Sequence, residues 1–228
     1  MRDERTWTQY AAIAGIVFVV LTIVGAFLPG QPPKPDDSIA TIRSFYADHR
    51  SAILLSAYVG GVATAFGLWY IAALSVVVRR AEGGGGILAL TTFAGGAVTS
   101  VVGVIGLLVS AALAYSSRSD DVLRTMFDFG NMSFALIMFP WAVFTAAASV
   151  VMIRTGLFAR WLGWAGIAAA ALMLISAAGL GQTSGAWAAA GAVSLVTLIV
   201  GMIWILATAI YMLRSNMVEQ SQMTPAAA

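Results

Sequence analysis

The polar side chains best suited to ligand binding stand just before two long apolar runs of the chain. They are Tyr46, Asp48, His49 and Arg50 before one run, and Asp128 and Asn131 before the other. If two such runs enter a membrane as helices from one surface, their positive N-terminal ends point at a common region. A lipid headgroup or a small anion can bind at such helix ends. We therefore predict a ligand or headgroup site built from these six residues.

The same residues also have a purely structural interpretation. Asp48 and Asp128 are typical helix-capping side chains, and Arg50 is long enough to reach lipid headgroups from a helix end. The sequence leaves both interpretations open.

The sequence argues against metal binding, catalysis and nucleic-acid binding. The chain has no Cys and a single His, His49, so thiolate sites and multi-histidine metal sites are excluded. The G-x-S-x-G motif of serine hydrolases is absent. A net charge of +2 is too small to indicate a nucleic-acid partner. We predict a non-enzymatic protein without a metal or a cofactor.

The elements that position these residues are six apolar runs, in a chain that is 60% hydrophobic and 10% charged. The runs cover residues 11–28, 51–78, 87–115, 132–153, 161–180 and 186–213, and none contains Asp, Glu, Lys, Arg or His. Apolar runs of about 18 or more residues are typical of membrane-spanning helices. Their continuity excludes the alternating pattern of a membrane β-strand. We predict an all-α domain of six spans over residues 1–214.

Two of the predicted connections contain short amphipathic helices. In each, apolar residues recur at three-to-four spacing after Ser and Asp residues that suit a helix start. These apolar residues are Ile39, Ile42, Phe45 and Tyr46 in one connection, and Val122, Leu123, Met126 and Phe127 in the other. We expect both helices to lie on the outer membrane surface. A tight turn at residues 181–185 joins the last two spans, and the polar tail at residues 215–228 is predicted to be disordered.

The arginines predict the orientation in the membrane. Seven of the 12 Lys and Arg residues fall on the side of the two termini, and two pairs, at 79–80 and at 154 and 160, lie in short loops there. Short loops rich in Lys and Arg are typical of the cytoplasmic side. We therefore predict a multi-pass membrane protein with both termini in the cytoplasm.

Small residues recur along the second and third spans, at positions that share a helix face. They are Ser56, Gly60, Ala63 and Gly67 in one span, and Gly96, Gly103 and Gly106 in the other. Such stripes let helix backbones approach closely inside lipid. We predict that these two spans pack face to face. Pro140 is expected to kink the fourth span and to free a carbonyl one turn earlier.

Several short segments carry a resemblance to a known group of proteins. They are residues 45–50, 79–83, 128–131, 139–140, 154–156 and 160–164. On these segments the chain resembles a family of uncharacterised bacterial membrane proteins, frequent in actinobacteria. The resemblance implies a six-helix architecture in a bacterial plasma membrane, and no particular activity or site residue.

Two functions remain after these exclusions. The first is the binding of a lipid or small amphiphile, or assembly with other membrane subunits; homo-oligomers are compatible with it. The second is passive transport through a cavity between the second, third and fourth spans. A continuous polar track built from Ser56, Thr64, Thr99, Ser100 and Asn131 would favour transport. A dry, tightly packed interior with a lateral groove would favour binding or assembly.

Overall fold

The computed structural model describes residues 2–116, 119–188 and 191–223, and within them the regular structure is helical, without strands. The helices are α1 (Arg2–Phe27), α2 (Ile39–Asp48), α3 (Arg50–Glu82), α4 (Ile87–Tyr115), α5 (Asp120–Leu136), α6 (Met138–Thr155), α7 (Arg160–Ala177) and α8 (Ala192–Met223).

Six helical segments are long and apolar enough to cross a membrane. They are Thr6–Phe27, Arg50–Glu82, Ile87–Tyr115, Asp120–Thr155, Arg160–Ala177 and Ala192–Arg214. A helix satisfies its own backbone hydrogen bonds, as a segment inside hydrocarbon must. The prediction of an all-α, six-span membrane protein is therefore confirmed.

The spanning helices form a closed ring. Neighbours follow the order α1, α3, α4, α6, α7 and α8, and α8 returns to α1. Helices α3 and α6 also touch across the ring. Helix α2 and the start of α5 lie at one end of the bundle, called here the α2 end. The short connection at residues 83–86 lies at the opposite end.

Two groups of buried side chains stabilise the bundle. The larger one fills the bundle near the opposite end, where it includes Leu74, Val78, Met152 and Met212, and it extends along α7 as far as Ala177. The smaller one lies at the α2 end and contains Ile42, Val109, Leu113, Leu123 and Phe127. Side chains of α4 and α5 thus cover the apolar face of α2, and Ile42 is fully buried. Helix α2 forms where the sequence predicts it, but this face is directed at the protein rather than at lipid.

Helix α2 begins at a side-chain cap. The hydroxyl of Ser38 accepts a hydrogen bond from the backbone N–H of Thr41 at 3.2 Å. This bond satisfies one of the N–H groups that a helix start leaves without an intrahelical partner.

Helix α5 is longer than the predicted surface helix. It continues to Leu136 and takes in the first residues of the predicted fourth span, and α6 completes that span. The two helices meet at Ile137, three residues before Pro140. Proline has no N–H to donate to the carbonyl of Leu136 one turn earlier, which accounts for a break at this place.

Two boundaries near the C-terminus differ from the prediction. Helix α7 ends at Ala177 and α8 begins at Ala192, so residues 178–188 form turns where the sequence predicted the ends of two spans. Helix α8 continues to Met223, whereas disorder was predicted from residue 215. The segment from Arg214 to Met223 contains no Gly or Pro, so nothing in its backbone interrupts a helix. Residues 224–228 of the predicted tail lie outside the described residues.

Candidate functional site

A cavity of about 490 Å³ lies inside the ring at the α2 end. Side chains of α1, α2, α3, α4, α5, α6 and α8 line it, together with Pro32 and Pro33 from the connection before α2. Its volume falls within the range of roughly 300–1,000 Å³ that is common for small-molecule sites. It is the best candidate for a functional site in the described part of the chain.

The cavity ends blindly within the bundle. On α3 its wall extends from Ser56 to Ile71, which corresponds to about 23 Å along a helix axis. Tyr70, Trp141 and Phe144 lie at the inner end of the wall and are all buried. Beyond them the larger core group fills the bundle. The cavity therefore reaches from the α2 end past the middle of α3 and stops before the opposite end of the bundle.

Glycines on α4 leave the space open. A Cβ atom at Gly106 would meet no atom within 4 Å, and one at Gly103 would meet only the Ile137 side chain, at 3.6 Å. Both residues belong to the stripe that the sequence predicts as a packing face. In the structure these two positions border the cavity instead.

The other small residues of the stripes do lie at close contacts. A Cβ atom at Gly60 would come within 2.7 Å of the Leu107 side chain, and one at Gly96 within 2.6 Å of Ile71, which are contacts between α3 and α4. Gly67 faces Phe18 of α1 instead. Ala63 is buried. The stripes therefore serve two purposes, close packing in some turns and an open wall in others.

Neutral polar side chains are spread over the wall, and most of them hydrogen bond to the backbone. Ser56 donates to the carbonyl of Gly25 on α1 at 2.7 Å. Thr64, Thr99, Ser100 and Ser133 each donate to a carbonyl four residues earlier in their own helix. Since these hydroxyl protons are already engaged, the wall is less polar than its residue types suggest.

Tyr46 and Asn131 are the two predicted site residues that line the cavity. Tyr46 is half-buried, and its ring meets that of Phe127 edge to face. Burial raises the pKa of the Tyr46 hydroxyl above its ordinary value, and the Ser110 hydroxyl opposes this in part. Asn131 donates one amide N–H to the carbonyl of Phe127 at 3.0 Å. These two residues place hydrogen-bonding groups at the α2 end of the cavity.

The other four predicted residues do not line the cavity. Asp48 is exposed, and His49, also exposed, stacks on Phe45 and donates from Nδ1 to the Phe45 carbonyl at 3.1 Å. Arg50 donates from Nε to the carbonyl of Ala114 near the end of α4, at 3.1 Å. Asp128 accepts a hydrogen bond from Arg124 at 3.2 Å. The structure therefore does not gather the six residues into one site.

Arg124 is a functional candidate that the sequence analysis missed. Besides Asp128, its guanidinium donates to the carbonyl of Asp37 at 3.2 Å and to that of Pro35. Arg43 of α2 forms an ion pair with Asp120 of α5. These contacts hold the connection before α2, and α2 itself, against α5 beside the cavity. The spacing of Arg124 and Asp128 could have suggested their pairing, but carbonyl partners leave no signal in the sequence.

The described residues do not form a cluster of side chains that could bind a metal ion. They contain no group of three or more His, Asp or Glu side chains close enough to hold an ion. Within the same residues, no ionisable side chain other than Tyr46 and Tyr70 lines the cavity. The arrangement suits binding of an apolar molecule better than acid–base chemistry.

Comparison with known proteins assigns the chain to a family but does not indicate an activity. No curated protein and no solved structure matches the chain. A family described as a domain of unknown function, DUF4386, matches residues 13–215. This match covers the first spanning segment from residue 13 onward, the other five in full and the whole wall of the cavity, so the chain belongs to the DUF4386 family.

Proposed function

We propose that the protein binds the apolar chain of a lipid or small amphiphile in the cavity at the α2 end. The observation that carries the proposal is a blind, largely apolar cavity about 23 Å long inside a membrane protein. That length is most of the roughly 30 Å thickness of a bilayer's hydrocarbon core. An extended acyl or isoprenoid chain would fit along it.

The chemistry of the wall agrees with such a ligand. Phe18, Trp141 and Met202 offer apolar surface. The hydroxyls of Ser56 and Thr64 already donate to backbone carbonyls, so a ligand does not have to accept hydrogen bonds from them. No residue of the wall within the described chain suggests a catalytic role. We accordingly propose a binding protein rather than an enzyme.

Passive transport remains the second candidate, because of one specific observation. Ser56, Thr64, Thr99, Ser100 and Asn131, which the sequence analysis named as a polar track, all lie on the cavity wall. Transport would require the inner end, closed by Tyr70, Trp141 and Phe144, to open toward the other side. The cavity would then be one of two alternating states.

Native mass spectrometry of the protein released from mild detergent, with lipid identification, tests the binding proposal. The wild-type protein should retain one lipid or amphiphile. Gly106→Leu, which places a side chain in the open cavity, should lose it. Gly61→Leu is the matched control, because a Cβ at Gly61 also meets nothing within 4 Å but this residue is exposed and outside the cavity wall. Equal retention by both variants would refute the cavity as the site.

The same spectra and a flux assay separate the alternatives. Discrete oligomers without a bound lipid would favour assembly with further copies. A bare monomer that carries a small neutral solute into proteoliposomes, and loses this activity in Gly106→Leu, would favour transport.

The proposed location remains a bacterial plasma membrane with cytoplasmic termini.

A further inference from the structure

The wall of the cavity offers no partner for a charged ligand group. Among the described residues that line it, none is Asp, Glu, Lys, Arg or His. A charge placed inside would lose its hydration without gaining a counter-charge, which is strongly unfavourable. The nearby guanidinium groups are already engaged, Arg50 with the carbonyl of Ala114 and Arg124 with Asp128 and the carbonyl of Asp37.

Uncharged hydrogen-bonding capacity, in contrast, remains on the wall. The side-chain amide of Asn131 uses one of its two N–H groups, and its oxygen accepts no hydrogen bond from the described residues. The hydroxyl of Thr22 on α1 has no hydrogen-bond partner within the same part of the chain. Half-buried polar groups of this kind favour a ligand that can donate and accept hydrogen bonds without carrying charge.

The polar and apolar parts of the wall are separated along its length. Asn131 lies near the level of Val109, because Gly130 faces Val109 at 3.4 Å, and so it is close to the α2 end. The blind end is formed by Ile71, Trp141, Phe144 and Met202, all of them buried. The residue at that end with a side-chain hydroxyl, Tyr70, already bonds to Thr208. Thr22 lies about halfway along the wall, between the level where Gly25 meets Ser56 and the level where Gly67 meets Phe18. The wall thus presents free polar groups between the α2 end and its middle, and an apolar surface at the blind end.

From this arrangement we infer that the ligand is a neutral amphiphile whose polar end carries hydroxyl or carbonyl groups. Its apolar chain extends toward Trp141, and its polar end hydrogen bonds with Asn131 and Thr22. The inference rests on the proposed function and narrows it. It excludes fatty acid anions and anionic lipids as the preferred occupants.

Two probes with one chain and different polar ends test the inference. A monoglyceride and a free fatty acid that carry the same dibrominated stearoyl chain are added to the purified full-length protein at alkaline pH, where the acid is ionised. Bromine near Trp141 quenches its fluorescence, and a Trp141→Phe variant identifies that part of the signal. We expect the monoglyceride to bind at least about tenfold more tightly than the acid.

Substitutions test whether the polar groups of the wall cause the preference for the monoglyceride. Asn131→Leu should remove most of this preference. Gln182→Leu should leave it unchanged, because Gln182 is exposed and lies outside the wall. Thr22→Val provides a second variant if Asn131→Leu does not fold. Equal binding of both probes, or tighter binding of the acid, would overturn the neutral-ligand inference and leave the binding site in place. Quenching by neither probe, or quenching unaffected by Gly106→Leu, would overturn the proposed function itself and the inference with it.

Discussion

The guanidinium of Arg124 on α5 donates a hydrogen bond to the backbone carbonyl of Asp37, 3.2 Å away and 87 residues earlier in the chain. Together with the bond to Pro35, this contact fixes the proline-containing connection whose residues Pro32 and Pro33 line the cavity. The connection and α2 therefore form one side of the cavity, and Arg124 holds them to α5.

Replacing Arg124 should loosen this side of the cavity. Arg124→Ala removes the donors to two carbonyls and should cost about 1 kcal/mol of local stability. We expect faster amide hydrogen exchange in residues 35–48, measured by mass spectrometry, with little change in α6 and α7. Arg154→Ala, an exposed arginine at the opposite end, is the control. Unchanged exchange in residues 35–48 would mean that the buried face of α2 holds this segment without Arg124.

The glycines of α4 should differ sharply in their tolerance of a methyl group. A Cβ at Gly95 would come within 2.7 Å of the backbone nitrogen of Phe144 and 2.9 Å of the carbonyl oxygen of Pro140, so α6 would have to move. Gly95→Ala should therefore lower the melting temperature. Gly106→Ala should leave it unchanged or raise it, because the site is open and alanine favours a helix by up to about 1 kcal/mol. Thermal unfolding in detergent measures both, and equal destabilisation would show that Gly106 also lies at a tight contact.

The fold was largely predictable because hydrocarbon allows few alternatives. A continuous apolar run without ionisable residues has to satisfy its backbone internally, so six runs predict six helices. Local signals were also sufficient for α2, where Ser38 precedes apolar residues at helical spacing. The extent of α5 was not predictable in this way, since it depends on how far a helix continues before Pro140 interrupts it.

The cavity was not predictable from the stripes of small residues. Such a stripe shows that a neighbouring helix is able to approach, but side chains distant in the sequence decide whether it does. Leu107 reaches Gly60 and Ile71 reaches Gly96, whereas no side chain reaches Gly106. For the same reason only Tyr46 and Asn131 of the predicted site face the cavity, while Asp128 turns to Arg124.

Two buried hydroxyls on α6 should be dispensable for stability. The side-chain oxygens of Thr145 and Ser149 have no hydrogen-bond partner within the described residues. Removing an unsatisfied buried polar group is neutral or stabilising, so Thr145→Val and Ser149→Ala should keep or raise the melting temperature. Thr208→Val is the matched control, since Thr208 is equally buried but bonds to Tyr70 and to the carbonyl of Trp204.

The control should lose about 1 kcal/mol of stability, because the Tyr70 hydroxyl would lose its partner. An equal loss in Thr145→Val and Thr208→Val would contradict the prediction and would indicate a bound water or a rotated hydroxyl at Thr145.

The absence of cysteine allows a direct test of the predicted orientation. Single cysteines can be introduced as Asp36→Cys, an exposed position at the α2 end, and Gly85→Cys, an exposed position in the connection at the opposite end. A Cβ at Gly85 meets nothing within 4 Å, so the substitution should not disturb the fold. The arginines near residue 85 predict that this connection is cytoplasmic. A membrane-impermeant maleimide should therefore label Asp36→Cys in intact cells, and Gly85→Cys only after permeabilisation. The reverse pattern would place the cavity on the cytoplasmic side, so that its ligand would enter from the inner leaflet.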